Sequence, residues 1–238
     1  VCELTTVTDA ALNPALGTDG SQPLLTYYDD ATGERTELSG LTTANWAAKT
    51  ANMIRDEFGL MAGDVVSVDL PTHWQSAAVL LGAWWAGVHV RLGYSDDAAL
   101  AFCSMATLER VDAAPEIAVV SLDPFGMPMR DLPVGLTDYA ASVRVHGDQF
   151  RPTGPGGPAL DDRTVDEVIA EAREFAAEAG IVAGSRIMTT RPWDDPGNLI
   201  ANLLATLVSG GSLVQVANPD IAKLPSRAAS EKVTATLT

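Results

Sequence analysis

The sequence predicts an α/β fold built as two related lobes of mainly parallel sheet flanked by helices. Three observations carry that expectation. Short apolar runs of strand length alternate with segments that have helical periodicity. One order of elements (Gly-x-x-Ala-Gly, strand, proline, apolar helix, glycine, strand) occurs twice. Of the 238 residues, 47% are hydrophobic and 19% charged, a balance that can bury a core and excludes disordered or collagen-like chains.

From the start of the chain, Leu24 to Asp29 and Glu34 to Leu38 read as two strands around the Thr32-Gly33 turn, a β-hairpin. A helix follows, capped by Thr42 or Thr43, with Ala47, Ala51, Ile54 and Phe58 on one face and Gly59 ending it. Val65 to Leu70 is a buried strand stopped by Pro71, Trp74 to Ala86 a nearly all-apolar helix, and Val88 to Leu92 a second strand. Leu100 to Ser104 and Glu116 to Leu122 are further strands, flanking a helix expected from Thr107 to Ala113.

The first pattern returns 121 residues on, as Gly59-to-Gly63 becomes Gly180-to-Gly184. Thr164 to Ala179 is an amphipathic helix with Val165, Val168, Ile169, Ala172, Phe175 and Ala176 inward and Asp162 or Thr164 as cap. Pro192 matches Pro71, and after a two-residue insertion Leu203-Leu204 matches Leu80-Leu81. Arg151 to Pro158 (RPTGPGGP) has linker composition. The expected organisation is a first lobe over residues 1–150 that includes the hairpin, a linker over 151–163, and a smaller second lobe over 164–238 that repeats 43–92, with a crevice between the lobes.

Charge narrows the partners. With 31 acidic against 15 basic side chains the net charge is −16, and no Lys/Arg-rich run exists, which argues against nucleic acid and anionic membrane surfaces. The longest apolar run, Ala77 to Val88, falls short of the roughly 20 residues a membrane span needs. Two cysteines, Cys2 and Cys103, are too few for a disulfide scaffold. The first basic residue is Arg35, so the opening lacks the positive start of a secretory signal, and a cytoplasmic location is expected.

Candidate ligand-contacting residues lie just past the strand ends, where open α/β sheets place them: Thr72, His73 and Trp74 in the first lobe, and Arg191, Trp193, Asp194 and Asp195 in the second. Each has a structural explanation beside the functional one. Thr72 can cap the next helix with His73 exposed in its first turn, and Asp195 before Pro196 is an N-cap and N1 pair. His73 with Asp194 and Asp195 could form an acid/base or metal site if both edges faced one crevice. His89 and His146 have no patterned partners. The linker, with Thr153, Gly154, Gly156 and Gly157, has the glycines of a phosphate loop, but Pro152, Pro155 and Pro158 lack N–H donors and no lysine stands between Arg151 and Arg163, so it reads as a linker. No HExxH, CxxC, Gly-x-Ser-x-Gly or Gly-x-Gly-x-x-Gly pattern occurs. Trp84 and Trp85 on the apolar helix point about 100° apart, and core packing explains them.

Read end to end, the sequence resembles the N-terminal portion of the adenylate-forming (AMP-binding) enzymes, which include acyl-CoA synthetases. Leu38 to Phe58, Gly63-Asp64-Val65-Val66, Leu70-Pro71 and Ala83 to Gly87 look like that family's opening helix, strand and following helix. Arg186 to Val216, with Gly210-Gly211-Ser212, is similar to its segment after the phosphate loop. The likeness is closest to short actinobacterial proteins of unknown function. It implies an ATP-gripping Ser/Thr/Gly loop ending in Pro-Lys, but here Thr153 to Leu160 stands in that place with Ala159 or Leu160 at the lysine. The family's aromatic-flanked histidine is replaced around Asp194-Asp195, and Thr238 precedes its Tyr-Gly-x-Thr-Glu segment, ribose-binding aspartate and C-terminal lid. Neither ATP nor magnesium is therefore expected as a cofactor. The expectation is a degenerate, non-catalytic relative that binds a small molecule or a protein. The alternatives are a small enzyme using the crevice, or an interaction subunit whose apolar surface a homodimer covers.

Overall fold

The computed structural model describes residues 6–152 and 157–237 and divides into two compact units. The first combines the described residues up to Asp9 with Ala44–Val165; the second combines Ala10–Thr43 with the residues from Asp166 onward. The elements begin with α1 (Val7–Asp19), β1 (Pro23–Asp29), β2 (Glu34–Ser39), α2 (Gly40–Asn52), β3 (Val65–Asp69), α3 (Trp74–Ala86), β4 (His89–Leu92), β5 (Leu100–Cys103) and β6 (Glu116–Val119). They continue with β7 (Thr137–Asp138), α4 (Tyr139–Val143), α5 (Val165–Glu178), β8 (Arg186–Thr189), α6 (Pro196–Leu199), α7 (Ala205–Val208), β9 (Ser212–Ala217), α8 (Leu224–Ser230) and β10 (Ala235–Leu237). A π-helical turn, Met53–Glu57, continues α2, and another, Ile200–Leu204, joins α6 to α7. Among the described residues, no helix is long and apolar enough to cross a membrane.

The first sheet has the order β4-β3-β5-β6-β7, every adjacent pair parallel. The second has the order β10-β8-β9-β1-β2, parallel except for the β1–β2 hairpin. The hairpin, expected with the first lobe, thus belongs to the second sheet, where Leu25 pairs with Leu213 of β9. The reason is burial. Leu24, Leu25, Thr26 and Tyr27 are buried in succession, so both faces of β1 need cover and a strand on each side.

Two further expectations change. The segment from Thr107 to Ala113 forms only a 3₁₀ turn, Leu108–Arg110, because the Thr107 hydroxyl is committed to the Asp69 carbonyl (2.7 Å) and the Ser104 amide (3.0 Å). The cap of α2 is Ser39, whose hydroxyl accepts from the Thr42 amide at 3.1 Å, rather than Thr42 or Thr43. The Thr43 hydroxyl instead donates back to the Ser39 carbonyl.

The two β-α-β stretches close with the same hydrogen bonds. Gly63 N–H donates to the Gly87 carbonyl and Gly184 N–H to Gly210, both at 2.9 Å. His89 N–H donates to Asp64 and Ser212 N–H to Ser185, both at 2.8 Å. The turns themselves are tied by Met61 N–H to the Asp64 carboxylate (2.7 Å) and Val182 N–H to the Ser185 hydroxyl (3.0 Å). Gly87 and Gly210 share φ values of 76° and 75°, a left-handed conformation that ends each helix and costs glycine little. The likeness extends one strand past the 43–92 stretch, since β4-β3-β5 and β9-β8-β10 have the same order around their central strand.

In the first unit α3 lies close against the preceding helix. A Cβ on Gly82 would meet Thr50 Cβ at 2.4 Å and the Ala47 carbonyl at 2.9 Å. Glycine in a helix interior ordinarily disfavours folding relative to alanine, so the sign of Gly82→Ala is diagnostic. It is expected to destabilise the chain by about 1–3 kcal/mol through overpacking, measured by denaturant unfolding.

In the second unit a charged cluster joins β1 and β2 to the end of α8. Glu231 receives Arg186 (2.5 Å), Arg35 (2.9 Å) and the Tyr28 hydroxyl (2.5 Å). Arg227 pairs with Asp30 at 2.7 Å and lies 4.0 Å from the Tyr28 ring centroid. Burial opposes charge on Glu231, yet hydrogen bonds from Tyr28, Arg186 and Arg35 outweigh it and hold its carboxyl down at about 2. The Arg227 guanidinium does the same for Asp30, also to about 2. Carboxyls held below their ordinary 3.8 and 4.5 favour the folded state fully above about pH 4.5, and that contribution is lost as pH falls towards 2. Thermal melts taken from neutral pH downward are expected to show this loss, with a shallower acid slope in the Asp30→Asn/Glu231→Gln double variant. Glu231→Gln alone is expected to cost about 3 kcal/mol by removing the close counter-charge of Arg186 and leaving only Glu37 at 3.9 Å.

Candidate functional site

In an open parallel sheet, ligands bind at the carboxyl ends of the strands where the chain reverses its direction of winding. In the first sheet the chain passes from β3 to β4 on one side and then to β5 on the other, so the switch point lies between β3 and β5. Thr72 and His73 lie in the loop that leaves β3, and Trp74 opens α3 directly after them. His73 is buried, only 4% exposed, and is itself the N-cap of α3: its Nδ1 accepts from the Gln75 amide at 3.1 Å. That bond requires an unprotonated Nδ1 and puts the ring proton on Nε2. The expected arrangement, with Thr72 capping and His73 exposed, is corrected; the ring satisfies the helix end and is shielded from water.

The rest of this edge is tightly bonded. Trp74 packs edge-on against Trp46, with centroids 5.2 Å apart. The Gln75 side-chain amide donates to the Asp123 carbonyl at 2.8 Å, spanning from α3 to the loop after β6. Arg110 pairs with Asp69 at 3.1 Å. Cys103, at the end of β5, is buried, and burial pushes its thiol up to about 11, well away from a reactive thiolate.

The second sheet has its switch point between β8 and β10. Here Arg191, Trp193, Asp194 and Asp195 share the loop leaving β8. The loop is held by Arg191 N–H to the Thr189 hydroxyl (3.2 Å) and by the Gln215 side-chain amide to the Arg191 carbonyl (3.0 Å). Trp193 is buried, and both aspartates are exposed. Asp195 caps α6, accepting from the Asn198 amide at 2.8 Å, with Pro196 at the first helical position. The Asn198 side chain donates to Asp194 (2.8 Å) and Asp195 (2.7 Å), and the Asn198 backbone carbonyl accepts from the Asn202 side-chain amide (2.9 Å). Asn202, in the π-helical turn, receives the buried Thr189 hydroxyl at 3.1 Å. The carboxylates therefore orient a polar chain that runs inward to the sheet.

His73 lies in the first unit and the two aspartates in the second. Among the described residues, no group of three or more His, Cys, Asp or Glu could hold a metal ion. His89 and His146 do have partners, the Asp161 carbonyl and, at 2.8 Å, the Glu57 carboxylate. Thr153, Gly154 and Gly156 lie outside the described residues, and Gly157 is exposed. At the loop's end Ala159 and Leu160 are 4% and 0% exposed. The Ala159 carbonyl accepts from Val90 N–H (3.1 Å) and Trp84 Nε1 (3.0 Å), and Leu160 bridges to β4 in parallel register.

Sequence reasoning missed Gln75, Asn202 and Gln215, all buried. For Asn202 and Gln215 the signal was present, since each interrupts an otherwise apolar run, whereas Gln75 sits among the polar residues that open α3.

The fold matches a known class. The chain shares its fold with the adenylate-forming enzymes: an acyl-CoA synthetase from Brucella canis superposes with a TM-score of 0.76 and 19% identity, over 98% of this chain and 47% of that one. The anthranilate CoA ligase AuaEII, solved with anthranoyl-AMP, gives 0.74 and 12% identity over 97% of this chain and 48% of that one. The chain thus spans about half the length of the solved structures it resembles. No family model matches it. A TIGR03089 family protein of Mycobacterium tuberculosis is 50% identical over 240 residues, covering 98% of both chains. The chain belongs to the TIGR03089 family.

His73→Ala is expected to lower stability by about 1 kcal/mol, while His73→Asn, which can also accept from the first turn, stays near wild type. Asp195→Ala is expected to cost about the same, with Asp195→Ser again tolerated. Denaturant midpoints at constant slope provide the check.

Proposed function

We propose that the chain is a binding module on the adenylate-forming scaffold that does not itself adenylate. One observation carries this reading: where the resemblance calls for the lysine that grips ATP phosphates, the chain has Ala159 and Leu160, both buried, with Ala159 hydrogen-bonded to Val90 and Leu160 bridged to β4 at the edge of the first sheet. A cation cannot be supplied from there, and charge developing on a transferring nucleotide goes uncompensated. The net charge of −16 adds long-range repulsion towards ATP.

The polar chain in the second unit supports a binding role. Its carboxylates, Asn198 and Asn202 are engaged with one another and with Thr189, an arrangement suited to positioning a loop rather than to moving protons. The ligand on this reading is a small molecule or a protein taken at a carboxyl edge, and the setting is cytoplasmic.

ATP–pyrophosphate exchange measured across a panel of aromatic and aliphatic carboxylic acids is expected to stay at background. Calorimetry with ATP and magnesium is expected to show no saturable heat. Robust exchange with any acid would overturn the proposal.

A further inference from the structure

The second unit contains a cavity of about 840 Å³ at the edge opposite the one discussed above, beside the amino-terminal ends of β8, β9 and β1. It is formed entirely within that unit, by α1, the Ala183–Arg186 turn, the Val208–Ser212 turn and the residues that follow α8. The volume falls within the roughly 300–1,000 Å³ of small-molecule sites.

The internal repeat supplies a comparison. In the first unit the equivalent strands start with Val65 opposite His89; in the second they start with Arg186 opposite Ser212. The turn residue that braces its own loop is Asp64 in one and Ser185 in the other. One scaffold therefore carries a donor-rich floor in the second unit only.

Charge balance and hydrogen-bonding capacity set the ligand class. Arg186 and Glu231 are 15% and 8% exposed and pair at 2.5 Å; Arg35 bridges Glu231 at 2.9 Å and Glu37 at 2.8 Å. Arg186, Glu37 and Glu231 line the cavity, and Arg35, outside the lining, pairs with both carboxylates, so the charges along this wall are compensated. The remaining charged lining residues, Asp19 and Lys232, are exposed and of opposite sign. A charged ligand would find no uncompensated counter-charge. A wholly apolar one would strip water from Arg186 and Glu37 without replacing it. Hydrogen-bonding capacity is nonetheless present: the Ser185 and Ser212 hydroxyl oxygens accept from Val182 and Arg186 and keep their protons to donate, and one Glu37 oxygen can accept. Pro14, Ala15, Leu24 and Val208 add an apolar wall.

We propose that this cavity binds an uncharged, hydroxyl-rich ligand of one or two rings, a sugar or cyclic polyol, held by Arg186, Ser185, Ser212 and Glu37 with its C–H face on the α1 side.

The test is amide NMR on the full ¹⁵N-labelled chain, titrated with glucose, maltose and myo-inositol, and with glucose 6-phosphate and glucosamine as charged comparators. At least one neutral probe is expected to give saturable shifts at Ser185, Arg186, Gly210 and Ser212, with each charged analogue at least ~10-fold weaker, a difference of about 1.4 kcal/mol. Two occluding variants, Ala15→Trp and Ala183→Trp, are expected to weaken binding by ~10-fold or more while leaving the remaining spectrum in place, which shows that the fold persists. Absence of saturable shifts with all three neutral probes would overturn the proposal. So would binding that both variants leave unchanged, or a preference for the phosphorylated sugar. None of these outcomes bears on nucleotide exchange, so this inference and the preceding one fail separately.

Discussion

Two parallel strands joined by a helix must begin side by side, although a full crossover separates them in the chain. In each unit that constraint is met by a backbone hydrogen bond between glycines, Gly63 to Gly87 and Gly184 to Gly210. Neither needs a side chain, and both depend on left-handed turns. Everything at the strand ends inherits its position from this junction. Within each unit the loop leaving the strand, β3 or β8, emerges at that sheet's carboxyl edge because the strand is in register with its neighbour at the other.

Much of this was legible because the repeat is written in residues with strong local meaning. Glycines at turns, prolines after strands and continuous apolar runs placed β3, α3, β4 and α5 to within a residue or two, and the repeat gave β8 and β9 by their order. The partner of the hairpin was not legible, since strand pairing across nearly two hundred residues leaves no local trace. Only the unbroken burial of Leu24 to Tyr27 reveals that β1 is internal. Helix α1 was missed because Pro14 and Gly17 break its pattern, and the helix expected after Thr107 was overruled by a hydroxyl that serves two backbone groups at once.

The candidate site shows the same division. Residue types at the strand ends were readable, but their roles were not. A histidine in such a loop looks like chemistry; here its ring nitrogen does the work of an Asn or Asp cap, and burial withholds it from solvent. The buried amides of Gln75 and Gln215 hold the two loops by their backbones, and such second-rank contacts do not announce themselves by motif. The cavity at the other edge was outside the sequence reading altogether, because it depends on α1 and on a charged cluster assembled from β1, β2, β8 and the end of α8.

The place of β1 between β2 and β9 also shapes how the chain is made. Leu25 leaves the ribosome long before Leu213, its eventual neighbour. At bacterial-like translation rates the nascent hairpin waits on the order of ten to forty seconds with an apolar strand edge uncovered. The first sheet draws all its strands from residues 65 to 138 and can close in the meantime. Synthesis of the second unit is therefore the interval in which an unpaired strand edge is most open to aggregation.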